Sequence, residues 1–191
     1  MSEHCLSSQS NTSTSISISD SFDSNHPYIN EKLLKKVCIL LKALIKLKPN
    51  KIKGNKFKKL DAFNLKGIPS MSLYDYLYRI VKYTKIRDNT LITALIYIDI
   101  ICTKNKFNFN HYSIYKLLFI SIILASKHCS DNYRSKKLYS EIGGVQVKEL
   151  ELLEKKFSLL LKFKFSLEKI LVDKYNEYIN NDHVFYYIES D

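Results

Sequence analysis

Apolar side chains recur every three or four residues in several stretches of this chain, the spacing that gives a helix one buried face. The first stretch, Asn30 to Leu47, places Leu33, Leu34, Val37, Leu40, Leu41, Leu44 and Ile45 at that interval among lysines, and Asn30 can cap it. Past Pro69, Ser70 or Ser72 can start a helix through about Lys85, with Leu73, Leu77, Ile80, Val81 and Tyr83 or Thr84 inward. Asp88 or Asn89 can start the next, through about Lys104, with Leu91, Ala94, Leu95, Ile98 and Ile101 as its apolar stripe. The stretch from about Ser113 to His128 is apolar around most of its circumference, which suits the middle of a bundle. A short helix from Ser135 to Ile142 ends at Gly143 and Gly144, where glycine can supply a left-handed cap. The sixth, Gln146 to Phe163, turns Leu150, Leu153, Phe157, Leu160 and Leu161 inward and Lys148, Glu149, Lys155 and Lys156 outward. Ser166 can open the last, to about Asn180. The predicted fold is all-α: five helices packed around a hydrophobic third, with one flanking helix at each end.

Between these elements the character of the chain changes. Residues 1–29 form a Ser/Thr/Asn-rich arm with too few large apolar groups to offset the entropy of ordering it. Its Ser17, Ser19, Ser21 and Ser24 lie beside Asp20 and Asp23, a setting for acid-directed kinases or a plain solvated tail. Lys46 to Lys59 contains seven lysines with Pro49, Gly54 and Asn55, and reads as a solvated linker or a basic patch for nucleic acid or nuclear import. The expected division is 30–62 for the first helix and this linker, 63–165 for the five-helix unit, and 166–191 for the last helix and a tail.

Composition narrows the class. With 4 Gly, 3 Pro and no Trp in 191 residues, the chain lacks the turn residues that barrels, sandwiches and phosphate-cradling loops consume. Cys5, Cys38, Cys102 and Cys129 are scattered without metal spacing and read as reduced thiols. The polar start offers no secretory signal, so an intracellular protein, in cytoplasm or nucleus, is expected. The most apolar window, Leu117 to Ser126 between Lys116 and Lys127, is about half of the roughly 20 residues a membrane span needs. The formal charge is +11, yet only Arg79, Arg87 and Arg134 are arginines. A surface shaped for phosphate or guanine recognition more often favours Arg.

Several runs resemble one family. They are Ile68-Pro-Ser-Met-Ser-Leu-Tyr-Asp-Tyr-Leu-Tyr-Arg-Ile80, Leu91-Ile-Thr-Ala-Leu-Ile-Tyr-Ile-Asp99, Lys116-Leu-Leu-Phe-Ile-Ser-Ile-Ile-Leu-Ala-Ser-Lys127, Asp131-Asn-Tyr133, and Tyr139-Ser-Glu-Ile-Gly-Gly144 followed by Glu149 and Leu153-Glu154. In order, spacing and type they resemble the cyclin box, specifically that of single-box P-type (phosphate-pathway, U-type) cyclins, over roughly Phe63 to Phe165. The resemblance implies a non-catalytic subunit that binds and activates a cyclin-dependent protein kinase by packing on its αC helix. It implies no catalytic residue, cofactor, metal, membrane or small-molecule ligand. Carried over by position, Lys127 and Glu154 are the pair that hydrogen-bonds the kinase chain around αC. Leu124, His128, Ser158, Phe163 and Phe165 line the pocket that receives a side chain from αC.

Some positions depart from the family. His128 stands where Phe or Tyr is usual and Ser158 where Leu is usual, so a smaller or more polar pocket is expected. Ile100, Tyr115 and Ser130 replace the usual Arg, Arg and acidic residue. Asp99 on an otherwise apolar helix needs a partner, for which Arg79 is the candidate. The Met-Arg-x-x-Leu docking motif of mitotic cyclins is absent from the first box helix, and the 26 residues after Phe165 leave room for one helix but not a second box. A basic helical domain that binds nucleic acid, or a transcription-associated cyclin fold, is the alternative from another class. An enzyme is least supported, since the five histidines show no metal spacing and no nucleophile or phosphate-loop motif occurs.

Overall fold

The computed structural model describes residues 30–47, 61–67, 69–105, 110–129 and 133–181. The Ser/Thr arm, most of the lysine-rich linker and the Phe185-Tyr-Tyr187 tail lie outside these residues. Among the described residues the regular structure is helical: α1 (Glu31–Leu47), α2 (Leu73–Thr84), α3 (Asp88–Asn105), α4 (Ile114–Cys129), α5 (Lys136–Gly143), α6 (Val147–Leu160) and α7 (Lys169–Asn180), with one 3-10 turn at Asp61–Phe63.

The helix starts follow from their capping residues. Asn30 Oδ1 accepts from the Leu33 amide at 3.1 Å, and Ser72 Oγ accepts from the Asp75 amide at 3.1 Å while donating to the Asp75 carboxylate at 2.6 Å. Ser135 Oγ accepts from the Leu138 amide at 3.3 Å. Before α4, Asn110 Oδ1 accepts from the amides of Tyr112 and Ser113 at 2.9 and 3.0 Å. Each of these side chains occupies an amide that no helical carbonyl reaches.

At the centre lies α4, in which every residue from Leu117 to Ser126 is buried. It packs most extensively on α3 and also meets α2, α5 and α6. The second box helix differs from its expected one-sided stripe, because α3 is buried all the way round from Leu91 to Ile98. The reason is tertiary: α4 covers one side of α3 and α7 another. The two flanking helices also meet each other, and the Lys36 ammonium donates to the Asn180 carbonyl at 3.1 Å. That contact puts a cation at the negative end of the α7 dipole.

Two boundaries move. α6 ends at Leu160 rather than Phe163, since Lys162 and Phe163 both adopt left-handed backbone with φ near 56°. The Phe163 amide donates back to the Ser158 carbonyl at 2.9 Å, so the chain leaves the helix axis there. α7 begins at Lys169, with Glu168 rather than Ser166 in the cap position. Glu149, expected on the outer face of α6, forms an ion pair at 2.7 Å with Lys116. Lys116 also donates to the Asn64 carbonyl at 3.2 Å, which pins the loop behind Phe63. The Phe63 ring itself is fully buried, edge-on to Phe157 at 6.3 Å. Tyr115 donates to the Met71 carbonyl at 3.0 Å and lies edge-on to Tyr76 at 5.3 Å, tying α4 to the start of α2.

Two adjacent glycines end α5 for different reasons. Gly144 takes φ +65° as the left-handed cap. Gly143 is required for space, because a Cβ there would lie 2.2 Å from the buried Phe119 ring. Gly143→Ala should therefore destabilise the chain by about 1–3 kcal/mol through overpacking, despite alanine's better helix propensity. Denaturant unfolding measures this, and an unchanged midpoint would show that the α4–α5 contact yields easily.

Candidate functional site

The C-terminal turn of α4 and the middle of α6 meet on one face. Lys127 belongs to the last turn of α4, where the helix dipole favours a cation, and Glu154 projects from α6 toward it. The Lys127 ammonium donates to the Glu154 carboxylate in a close ion pair. Their side chains are only 23% and 15% exposed, so the pair is held well inside the surface while an edge stays open. Ser158, one turn further along α6, is buried and donates its hydroxyl to the Glu154 carbonyl at 2.8 Å.

Beside the pair, the His128 ring stacks on Phe165 with centroids 4.1 Å apart and planes inclined by 13°. Phe165 is half-buried and comes from the segment between α6 and α7. Its position is set by Tyr97 of α3, whose hydroxyl donates to the Phe165 carbonyl at 2.6 Å and whose ring meets Phe165 edge-on at 5.9 Å. Burial drives the Tyr97 phenol above the ordinary tyrosine range, so it remains a protonated donor. Phe163, in its left-handed conformation, is 63% exposed. Leu124 is buried one turn before His128.

The seven residues expected from the sequence thus reduce to two joined groups, Lys127–Glu154–Ser158 and His128–Phe165, with Phe163 exposed and Leu124 buried on α4. Tyr97 was missed. Its signal was a tyrosine in the middle of an apolar helix, a hydroxyl that has to find an acceptor. Cys129 donates to the Thr93 hydroxyl at 3.8 Å, a further α4–α3 link at the edge of this face.

The Arg79–Asp99 pair does not form. Arg79 Nη2 donates to the Glu141 carbonyl at 3.2 Å, near the end of α5. Asp99 is exposed, and accepts from the Tyr175 hydroxyl of α7 and from Thr103. Asp99 therefore never faced the burial cost that called for an arginine, because α7 brings it a hydroxyl at the surface.

The face holds one ion pair, buried hydroxyls and aromatic rings. Among the described residues no cluster of three or more His, Cys, Asp and Glu could hold a metal ion, and no helix is long and apolar enough to cross a membrane. The family model for cyclins matches residues 2–165. The chain belongs to the cyclin family. Among the relatives of this cyclin, Cyclin-U2-1 of Arabidopsis thaliana is 31% identical over 120 residues, 62% of this chain and 54% of the relative. PHO85 cyclin-like protein psl1 of Schizosaccharomyces pombe is 29% identical over 146 residues, covering 70% and 60%. PHO85 cyclin-7 of Saccharomyces cerevisiae is 29% identical over 126 residues, covering 60% and 44%. These relatives place it with the P/U-type cyclins, and the chain spans about half the length of most of the curated relatives it matches.

His128, exposed at its edge and stacked on Phe165, should make stability respond to pH. Burial, followed by the adjacent Lys127 charge, holds its imidazole below the usual value of 6.5. The unfolded chain then binds the proton first as the pH falls through 6.5, and stability is lost in that window. His128→Phe should keep the stack and remove the response. Unfolding midpoints measured at neutral and mildly acidic pH should fall less in the variant, and an equal fall in both proteins would rule His128 out.

Proposed function

We propose that this cyclin binds a cyclin-dependent protein kinase through the α4–α6 face and activates it by packing on the kinase αC helix. The observation that carries the reading is the convergence of Lys127 and Glu154, 27 residues apart in sequence, into one partly buried pair at the positions the cyclin resemblance assigns to kinase contact. The relatives named as PHO85 cyclins support a kinase partner, and an intracellular setting in cytoplasm or nucleus goes with it.

The physical role is conformational. A protein kinase holds ATP productively only when its strand lysine pairs with the αC glutamate. A partner with higher affinity for that arrangement shifts the kinase toward it. On this face, Lys127 offers donors and Glu154 acceptors to the backbone ends of an approaching helix. Phe165, with His128 stacked on it, and the projecting Phe163 supply apolar contact beside them. Ser158, with its hydroxyl already spent on the Glu154 carbonyl, adds little polarity, so the polar character of the pocket rests on His128. The cyclin performs no chemistry in this scheme.

Capture of kinases from source-cell extract on the tagged full chain tests the reading, with Lys127→Ala/Glu154→Ala as the comparison. Replacing both residues keeps the net charge and strands neither partner. Desolvated charged contacts contribute about 2–5 kcal/mol when truncated, so retained kinase should fall about 30-fold or more. The captured kinase should phosphorylate a Ser/Thr peptide only when the wild-type chain is added. A folded double variant that retains the kinase equally well, or a wild type that retains none, would overturn the reading.

A further inference from the structure

At the other end of α4 a half-open cavity of about 440 Å³ lies where α2, α5 and the start of α6 come together. The volume falls within the roughly 300–1,000 Å³ usual for small-molecule sites. Its apolar wall includes Pro69, Met71, Ile142 and Val145, and its charged groups are Lys66, Arg79, Lys116 and Glu149.

Most of the polar capacity is already used. Lys116 and Glu149 pair with each other at 2.7 Å. The Tyr76 and Tyr115 hydroxyls donate to the carbonyls of Gly143 and Met71 at 3.4 and 3.0 Å. Two cations are left over. Lys66 is exposed and makes no ion pair or hydrogen bond among the described residues. Arg79 spends Nη2 on the Glu141 carbonyl, but its Nε is buried and has no acceptor. A guanidinium donor withdrawn from water without a partner is costly, and serving the end of α5 requires only the Nη2 contact. The cavity therefore combines an apolar wall with an excess of positive charge.

We propose that this cavity binds a small amphipathic oxyanion, a carboxylate or phosphate monoester carried on an apolar skeleton. The oxyanion meets Arg79 and Lys66, and the skeleton lies on Met71, Ile142 and Val145. Such a ligand departs from the sequence-based expectation of no small molecule, and the site stands apart from the kinase-binding reading. Lys116 and Lys127 are 11 residues apart on α4, about 16 Å along the axis, so an occupied cavity leaves the Lys127–Glu154 face free.

The test is a nuclear magnetic resonance titration of the isotope-labelled full chain, following the amide signals of Gly143, Gly144 and Val145. The probes are phenyl phosphate, benzoate, phenol and inorganic phosphate. Phenyl phosphate, benzoate or both should move these signals saturably, and the stronger of the two identifies the anion. Phenol and inorganic phosphate should bind about tenfold more weakly or worse, since each lacks one half of the recognised chemistry. Lys66→Glu, a change at an exposed turn, should weaken binding about tenfold without altering the melting temperature. Arg79→Met should weaken it further. Unmoved signals, equal binding of inorganic phosphate or phenol, or a Lys66→Glu chain that binds as well as wild type would each overturn the proposal. Kinase capture is read separately and is unaffected by any of these results.

Discussion

Everything in this molecule depends on keeping α4 out of water. A helix buried along ten consecutive residues, Leu117 to Ser126, cannot be covered by one neighbour, and α2, α3, α5 and α6 each take part of its surface. Once α4 is enclosed, only its two ends reach solvent, and the polar chemistry collects there. Lys116 opens the helix and holds Glu149 and the Asn64 carbonyl. Lys127 closes it and holds Glu154. The same need for enclosure requires Gly143, where the Phe119 ring leaves no room for a side chain.

The second constraint is the departure of the chain from α6. Two non-glycine residues in left-handed backbone are unfavourable, by about 1 kcal/mol or more each. They are tolerated because the turn delivers Phe165 to Tyr97 and His128, where a hydrogen bond and two ring contacts receive it. That turn also leaves Phe163 projecting beside Ser158. The flanking helices then brace the arrangement from outside: α7 covers α3 and supplies Tyr175 to Asp99, while Lys36 of α1 closes the end of α7. The face built by α4 and α6 is thus supported by elements from both ends of the chain.

Much of this was legible beforehand. Helical periods, the apolar run of α4 and capping residues together located the seven helices, Asn30, Ser70 or Ser72, and Ser135 marked three starts, and the glycine pair marked the end of α5. The conspicuous apolarity of α4 identified the centre. Resemblance to the cyclin box indicated Lys127 and Glu154, whereas periodicity alone left each as an ordinary surface charge. The Arg79–Asp99 pairing failed because a charge on one helix and a charge on another become partners only if the helices' rotation and offset bring them together. Here α2 turns Arg79 toward α5, and α7 reaches Asp99 first.

By itself, the sequence determined the class of fold, the order of its helices and the helix that had to lie inside, because hydrophobic period and capping chemistry are local properties. It also contained the residue types of the α4–α6 face. Tertiary structure alone decided that α3 is enclosed on all sides, that α6 stops at Leu160, that Tyr97 anchors Phe165, and that Lys66 and Arg79 stand together at an open cavity. Each of these depends on distances between residues far apart in the chain, and those distances exist only after the helices have packed.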